Sequence, residues 1–519
     1  MIMNRGILAA IFVALAFLLS NCNNSKKEIP KGFVYLEDGV FKIDGEVFFP
    51  LMVNYRADFR AIGDDIVASP TIYYEDPNAY ESDNKDEIRE QMSAHFELIK
   101  SMGFNSLRIC ADVIREDENG KYYHTPGGDF YLKNKTDRFI ESISDVVSLA
   151  DSYGLKVMIL LKPAMDAELE DLIIAILHKF ADNRAVFAFD MMNEPLYFDT
   201  DPCREKKDAV KIVARWRKII ENNAPNHLFT IGFSEPIEVF EWDPAILPVD
   251  FVEIHTYNPL RIPNEIWWYS HYVGKPWMIG ETSLPADNDA VSYDLQARFV
   301  KQAYQFTIDC GGIGFGWWEF QDYLNPDMNF EANYPGLLNH DGVTVTESGR
   351  KIIGTMKPAA YEFARVHKLS PKVPVRSENY FNMLGYENYV TTGRITCNNK
   401  PVEGAVIRGW NAYWGIGMNT YSDENGCFTL YSNDKNVHFE ISAPRLSKVK
   451  FDSFDLEYVS VYGGECDFST LQNVDLEYHK ISYFPFLAND TMLFEFKPEA
   501  FNKAIFKADL GDIELKEIK

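Results

Sequence analysis

The sequence predicts a (β/α)8 barrel followed by an all-β domain, and three observations support this fold class. From residue 45 to 320, short apolar segments alternate with longer amphipathic ones. Eight such apolar segments occur, which is the number of strands in this barrel. Near residue 370, helical periodicity gives way to short β-branched and aromatic runs separated by turn residues.

The predicted barrel strands are mostly continuous apolar runs, which are typical of parallel strands covered on both faces. They lie at 46–54, 104–110, 156–162, 186–194, 228–234, 250–257, 276–282 and 312–320. A doubly wound open sheet shows the same alternation, but no glycine-rich phosphate loop follows the first strand here. The pattern therefore favours the closed barrel over the open sheet.

The segments between the strands carry apolar residues at helical spacing. Residues 88–103 place Met92, Phe96 and Ile99 on one stripe and end at Gly103, a common helix stop. Further helices are predicted at 138–154, 168–182, 206–223 and 290–309, and the segment 346–367 is predicted to close the set.

The C-terminal part of the chain has the texture of a β domain. A linker with two prolines, 370–378, precedes it, and SDENG between two strand patterns predicts a hairpin. The stretch from GRITCNNKPVEGAVI to TYSDENGCFTLY resembles the carboxypeptidase-regulatory-like family of β-sandwich domains. Cys397 and Cys427 fall on two predicted strands, and whether they form a disulfide stays open.

The first 22 residues resemble a bacterial lipoprotein signal peptide. Arg5 precedes an apolar stretch, 7–19, that is too short to span a membrane, and LLSNC follows. The resemblance implies export and a lipid anchor on Cys22 at the bacterial cell envelope, on the periplasmic or surface face of the outer membrane. The predicted organisation is a signal peptide (1–22), a tether (23–32), the barrel (33–368) and the β domain (379–519).

Composition narrows the class of partner. The formal net charge of −26 argues against nucleic acid, which requires a basic surface, and suits a neutral partner. None of the seven cysteines forms a CxxC pair, so we predict no zinc site.

Two glutamates stand at the ends of predicted strands. The carboxyl ends of the strands meet at one face of such a barrel, where active sites lie. Glu194 ends the fourth strand and Glu281, 87 residues on, ends the seventh. These strands lie across the barrel mouth, so the two side chains can face each other over a substrate. Glycoside hydrolysis requires such a pair, one carboxyl as acid and one as nucleophile.

Neighbouring residues predict the role of each glutamate. Arg108 on the second strand and the Tyr257 hydroxyl at the end of the sixth favour an ionised Glu281, which makes it the nucleophile. Glu194 is then the acid and, later, the base. Pro195 is expected to keep Glu194 extended and to prevent a helix from starting there, because a residue before proline avoids the α region.

Further residues at strand ends are predicted to bind the sugar. Asn54 ends the first strand, and Asn193 can hydrogen-bond a 2-hydroxyl. A tryptophan on the eighth strand, Trp317 or Trp318, can form the floor on which the sugar at the cleavage site stacks.

These motifs together resemble the glycoside hydrolases of clan A, and most closely the cellulase-like family 5. The resemblance covers about residues 40–365 and is carried by FNSLRI, NEP, HTY, GE and WW, in this order on successive strands. The WEF pattern favours Trp318 over Trp317. The resemblance implies a chemistry without metal or organic cofactor, with acid/base Glu194, nucleophile Glu281 and support from Arg108, Asn193, His255 and Tyr257.

One departure leaves the substrate open. Many family 5 enzymes carry a histidine just after the third strand, where this chain has Lys162 in LLKPAMDAE. The subfamily and the sugar therefore stay open, and a family 2-like enzyme of the same clan is an alternative. The sequence thus predicts a retaining β-glycosidase, cellulase-like or mannanase-like, acting on a β-linked polysaccharide or oligosaccharide. The alternatives are a non-catalytic glycan-binding lipoprotein on a barrel scaffold and a transglycosylase with the same residues.

Overall fold

The computed structural model describes most of the barrel and about half of the C-terminal region. The described residues are 29–62, 65–70, 82, 84–116, 122–126, 136–161, 170–201, 203–257, 259, 261–324, 329–376, 389–411, 418–432, 434–460 and 506–518. The predicted signal peptide with Cys22 and the residue Lys162 lie outside them. Among the helices in these ranges, none is both long enough and apolar enough to cross a membrane.

A small antiparallel sheet covers the bottom of the barrel. It consists of β1 (Val34–Glu37), β2 (Val40–Ile43) and β3 (Glu46–Val47). Phe41 is fully buried, and its ring packs edge-on against those of Phe187 and Phe251 at the bottom of two barrel strands. The predicted start of the first barrel strand at residue 46 is therefore wrong. That strand begins just after Pro50, which has no N–H to donate to a ladder.

Eight parallel strands form a closed barrel, which confirms the predicted fold class. The longest strand, β4, pairs with β13 on one side and β6 on the other, which closes the ring of eight strands. Two antiparallel strands, β5 and β7, extend β4 and β6 beyond the barrel. In chain order the strands are β4 (Leu51–Ile62), β5 (Asp65–Pro70), β6 (Ser106–Glu116), β7 (Tyr122–Pro126), β8 (Lys156–Leu160), β9 (Val186–Asn193), β10 (Leu228–Phe233), β11 (Val252–His255), β12 (Trp277–Glu281) and β13 (Phe315–Trp317).

Helices cover the outside of the barrel, which explains why its strands are apolar on both faces. The α-helices are α1 (Lys85–Ser101), α2 (Thr136–Ser152), α3 (Glu170–Phe180), α4 (Pro195–Phe198), α5 (Lys206–Asn223), α6 (Ile262–Trp268), α7 (Tyr293–Asp309), α8 (Phe330–Asn333) and α9 (Pro358–Val366). A 3-10 helix (Pro236–Phe240) follows β10, and a π-helix (Tyr269–Val273) follows α6.

The predicted closing helix at 346–367 is only half correct. Its first part forms a hairpin of β14 (Val343–Val345) and β15 (Lys351–Ile353), and α9 begins at Pro358. Proline is well placed in the first turn of a helix but would interrupt a longer one, and Gly349 and Gly354 adopt positive φ angles in the hairpin.

The C-terminal domain contains two sheets that contribute to one hydrophobic core. Ile395 and Leu430 come from one sheet, and Ile407 and Phe439 from the other. The predicted all-β domain is confirmed, and its membership of the carboxypeptidase-regulatory-like family stays a prediction. Its strands are β16 (Tyr389–Cys397), β17 (Lys400–Pro401), β18 (Val406–Trp410), β19 (Met418–Tyr421), β20 (Cys427–Ser432), β21 (His438–Ser442), β22 (Val449–Asp452), β23 (Val459–Ser460) and β24 (Phe506–Glu514).

The last described strand belongs to this same domain, because β24 pairs in parallel with β16. The thiols of Cys397 and Cys427 are both free, so the two residues form no disulfide.

Buried polar contacts join the two domains. The Lys206 ammonium, nearly fully buried, donates to Asp243 in the barrel and to the carbonyls of Ala443 and Leu446 in the β domain, at 2.8–3.0 Å. The Trp268 indole N–H donates to the Gly404 carbonyl at 2.9 Å. Since each of these groups would be costly to bury without its partner, the interface fixes the β domain against the barrel wall.

Candidate active site

The turn at Glu194 differs from the prediction. The backbone of Glu194 is left-handed, with φ 40° and ψ 75°, and α4 begins at the very next residue, Pro195. The prediction that Pro195 keeps Glu194 extended and prevents a helix is therefore wrong. Proline fits the first helical position, since an N–H there would have no partner within the helix. The carbonyl of Glu194 instead accepts from the N–H groups of Tyr197 and Phe198.

Two contacts hold the Glu194 turn in this sparsely populated conformation. The Glu194 N–H donates to the Gly232 carbonyl of β10 at 2.8 Å. The carboxyl group of Glu238, on the 3-10 helix after β10, accepts from the Leu196 N–H at 2.9 Å and the Ser234 N–H at 3.1 Å. A non-glycine residue persists in a left-handed conformation where its surroundings determine it, and such residues are frequent at functional sites.

Glu281 is the last residue of β12 and lies almost fully buried. Its Oε1 forms a short ion pair with the Arg108 guanidinium, and its Oε2 accepts a short hydrogen bond from the Tyr257 hydroxyl. Burial would raise the pKa of Glu281, but the charges of His255 and Arg108 and these two hydrogen bonds outweigh it and lower that pKa. Glu281 is thus held as a carboxylate.

Arg108 organises the floor of the site from a fully buried position. Besides Glu281, its guanidinium donates to Asp190 at 2.7 and 3.1 Å, to Asn193 Oδ1 at 2.8 Å and to Asn54 Oδ1 at 2.9 Å. The five N–H donors of the planar guanidinium can bind all of these acceptors at once, which the three donors of a lysine ammonium group could not. Arg108 therefore binds the carboxylate of Glu281 from the floor of the site and helps to keep it ionised.

His255 joins the two glutamates. Its Nδ1 lies 3.0 Å from Glu194 Oε1 and 3.6 Å from Glu281 Oε1, and its Nε2 lies 3.5 Å from Glu253. Burial would lower the pKa of His255, but the surrounding carboxylates raise it to about 10. The imidazole is therefore a cation at neutral pH and donates from Nδ1 to Glu194.

A layer of buried charges below the site was not predicted from the sequence. Asp190 on β9 and Glu253 on β11 are fully buried, each beside Arg108. Burial and the charge of Glu253 raise the pKa of Asp190 to about 7, although Arg108 opposes them. The sequence signal was available, since each acid interrupts an apolar strand, FAFDMM and VEIH.

Glycines make room for this layer. A Cβ on Gly280 would overlap the Glu253 carboxylate, and one on Gly232 would lie 2.6 Å from His255 Nε2. Both glycines are therefore required by close approach of side chains from the neighbouring strand, β11.

Glu194, His255 and Glu281 each offer one possible metal-ligand atom, and these atoms lie within 4.8 Å of one another. By distance alone the group could hold a metal ion. However, a protonated imidazole has no lone pair to offer, and the Arg108 charge beside Glu281 opposes a second cation. The donor set suits proton transfer better than metal binding.

Two of the residues predicted to contact the sugar are out of its reach. Asn54 is fully buried, and its amide donates to the carbonyls of Gly280 and Trp317. Trp317 is also fully buried, and its ring packs against Phe299 and Phe363 of the surrounding helices. These two assignments are wrong for different reasons. Side chains alternate along a strand, and that of Trp317 lies on the outer face. Asn54 lies in the barrel floor, where Arg108 and two backbone carbonyls use its polar atoms.

The structure brings the other predicted residues to the mouth. Asn193 ends β9, and because its oxygen accepts from Arg108, its NH2 group can donate to a ligand. Trp318 is half-buried just after β13 and precedes a cis peptide bond to Glu319. The side chain of Glu194 is 15% exposed against 5% for Glu281, so Glu194 is the more accessible to solvent.

Residues 77–323 match the family model described as cellulase (glycosyl hydrolase family 5), a range that contains both glutamates and every residue of the site except Asn54. No curated protein matches the chain.

Several solved structures are similar to the chain. The GH5_18 protein from Streptomyces cattleya, in complex with GlcNAc, is 15% identical, covers 60% of this chain and 80% of its own, and gives a TM-score of 0.43. An exo-β-1,4-mannosidase from Opitutaceae bacterium strain TAV5 is 15% identical over 64% of this chain and 62% of its own, with a TM-score of 0.44. β-Glucuronidase 2 from Bacteroides uniformis is 12% identical over 81% of this chain and 47% of its own, with a TM-score of 0.42.

Proposed function

We propose, from the premise that this protein is a glycoside hydrolase, that it cleaves β-glycosidic bonds with retention of configuration. Glu281 is the nucleophile in this proposal and Glu194 the acid and base. The substrate is a β-linked polysaccharide or its oligosaccharides.

The separation of the two carboxylates carries the proposal. An oxygen of Glu194 and an oxygen of Glu281 lie within 4.8 Å of each other. Retaining enzymes place their two carboxyl groups about 5–5.5 Å apart, whereas inverting enzymes leave about 6.5–9.5 Å for a water molecule. The short separation supports direct attack by a carboxylate.

In the first step, Glu281 attacks the anomeric carbon and a C–O bond forms. The glycosidic C–O bond breaks, its electron pair goes to the leaving oxygen, and Glu194 protonates that oxygen. Arg108 and Tyr257 suit Glu281 to this role, because they favour its ionised form before the attack.

In the second step, water hydrolyses the glycosyl ester. Glu194, now a carboxylate, takes a proton from the water as the water oxygen bonds to the anomeric carbon, and Glu281 leaves as a carboxylate. The hydrogen bond from His255 to Glu194 Oε1 fixes the orientation of the group that serves in both steps.

We further propose that the mature protein is exported and anchored through a lipid on Cys22 to the bacterial cell envelope, on the periplasmic or surface face of the outer membrane. The N-terminal sequence supports this proposal, since it contains Arg5, then the apolar stretch 7–19 and then Cys22. Such an anchor would hold the enzyme near polysaccharides too large to enter the cell. On growth with a labelled fatty acid, the wild-type protein should carry the label and a Cys22→Ser variant should not, whereas an unlabelled wild-type protein would contradict a lipid anchor.

A substrate panel tests the catalytic proposal. We expect the wild-type protein to hydrolyse at least one member of a set of β-linked gluco- and manno-oligosaccharides, their polysaccharides and aryl β-glycosides. Glu281→Gln is the matched inactive variant. Binding of a glycan without hydrolysis would favour the glycan-binding alternative, and transfer to an added acceptor sugar in preference to water would favour the transglycosylase.

A further inference from the structure

We infer that Tyr197 forms a stacking platform for the sugar on the leaving-group side of the cleaved bond. This inference rests on the proposed function, and it assigns a binding residue that the two catalytic glutamates alone do not determine.

Tyr197 lies one helical turn beyond the proposed acid. It is on α4, and its N–H donates to the carbonyl of Glu194 at 2.9 Å. Glu194 must reach the oxygen of the leaving group. The side chain of Tyr197 lies near this acid, since the charge of Glu194, after burial and the charge of Glu235, contributes to the raised pKa of the Tyr197 hydroxyl. A leaving-group sugar bound to Glu194 would therefore lie beside Tyr197.

The residue is exposed in a way that structural packing does not explain. Tyr197 is 60% exposed, among the most exposed large apolar side chains of the described residues. An aromatic ring left in water next to a catalytic group is a candidate ligand contact, because burying its face against an apolar surface is favourable. Sugars present such a surface on the C–H face of the ring.

The hydroxyl of Tyr197 is nevertheless fixed. It donates to Glu235 Oε1 at 3.4 Å, and Glu235 forms an ion pair with Arg261. Burial around the hydroxyl and the charge of Glu235 raise the pKa of Tyr197. The polar end is thus held while the ring remains exposed, so little side-chain entropy is lost when a ligand stacks on it.

Charged groups next to the ring can hydrogen-bond to sugar hydroxyls. Glu235 and Arg261 are each 15% exposed and hence within reach of a ligand. An apolar ring flanked by an acceptor and a donor is the combination that binds a sugar in preference to an alkyl group. The geometry therefore favours a sugar as the leaving group.

The test compares two substrates that differ in the leaving group. A β-glycosyl fluoride releases fluoride, which does not reach Tyr197, and the β-1,4-linked disaccharide of the same sugar releases a second sugar. Each kind of substrate is tested in two forms, one built from glucose and one built from mannose. We expect Tyr197→Ala to lower kcat/KM for the disaccharide about 10-fold and to leave the fluoride unchanged within about 2-fold.

Two further variants serve as controls for this comparison. Tyr197→Phe keeps the ring and is expected to retain most activity on the disaccharide. Tyr361→Ala removes a tyrosine that is 51% exposed on α9, and it is expected to leave kcat/KM unchanged for both substrates. An equal loss on both substrates in Tyr197→Ala, or no loss on either, would overturn the inference. If the wild-type protein cleaves a fluoride but neither disaccharide, the inference fails alone; if it hydrolyses no member of the substrate panel either, the proposed function fails with it.

Discussion

Glu281→Gln is expected to lower kcat by at least about 10⁴-fold on every substrate, because no other group can form the glycosyl intermediate. The amide keeps the shape of the side chain: its oxygen can still accept from Arg108, and its NH2 group can donate to the Tyr257 hydroxyl oxygen, so the fold and sugar binding should persist. Steady-state kinetics, together with calorimetric binding of a substrate, measure both properties. Activity near the wild-type level would refute the role of Glu281.

Glu194→Gln is expected to show a different pattern, with a loss of about 10²–10⁴-fold that depends on the leaving group. Sugar leaving groups need a proton, so their hydrolysis should suffer most. Fluoride leaves with little need of protonation, so formation of the intermediate from a glycosyl fluoride should slow much less in this variant. Glu97→Gln is a matched control, since Glu97 pairs with Arg350 on the outside of the barrel and should not affect catalysis.

Arg108→Met is expected to have the largest effect on stability. It leaves the buried carboxyls of Asp190, Glu253 and Glu281 without their shared cation, and breaking a buried ion pair in this way costs about 3–5 kcal/mol. Denaturant unfolding measures the loss. Arg217→Met, which removes an ion pair to Asp250 on the outer wall, is the control and should cost less.

Arg108→Lys keeps a positive charge and is the variant for measuring the pH profile. Arg108 helps to lower the pKa of Glu281, and its replacement by a less well-placed cation should raise that pKa. Glu281 is active as a carboxylate, so the acidic limb of kcat/KM should move to higher pH. An acidic limb at the wild-type pH in Arg108→Lys would contradict the proposed coupling.

The same shift determines the direction of the pH effect on stability. A carboxyl whose pKa is lower in the folded than in the unfolded protein stabilises the fold above the unfolded pKa. That stabilisation from Glu281 is lost as the pH falls through the lowered folded value. His255 has the opposite sign, since its pKa is raised to about 10, so its contribution is complete below the ordinary histidine pKa and is lost as the pH rises towards 10.

The barrel and the meeting of the two glutamates could be predicted because both depend on strand order alone. Eight buried strands with helices between them allow few arrangements, and in a barrel all their carboxyl ends share one face. Glu194 and Glu281 end two of those strands, so their proximity follows from their places in the sequence.

The features that the sequence did not predict depend on register and backbone detail. The outward direction of Trp317 requires knowing which strand face it occupies, and a shift of one residue reverses it. The burial of Asn54 depends on its depth in the barrel, where its amide is bound to neighbouring strands. The pairing of Asp190 and Glu253 with Arg108 requires the relative heights of three strands. The left-handed turn at Glu194 depends on Glu238, which lies 44 residues away in the chain.

The most direct test of the central claim is the configuration of the products that azide forms with two alanine variants. In Glu281→Ala, azide can occupy the space of the missing carboxylate and attack the anomeric carbon of an activated β-glycoside, so the account predicts an α-glycosyl azide. In Glu194→Ala, Glu281 still forms the intermediate and azide replaces water, which predicts a β-glycosyl azide. NMR spectroscopy distinguishes the two anomers. A β-glycosyl azide from Glu281→Ala, or an α-glycosyl azide from Glu194→Ala, would contradict the division of roles between the two glutamates.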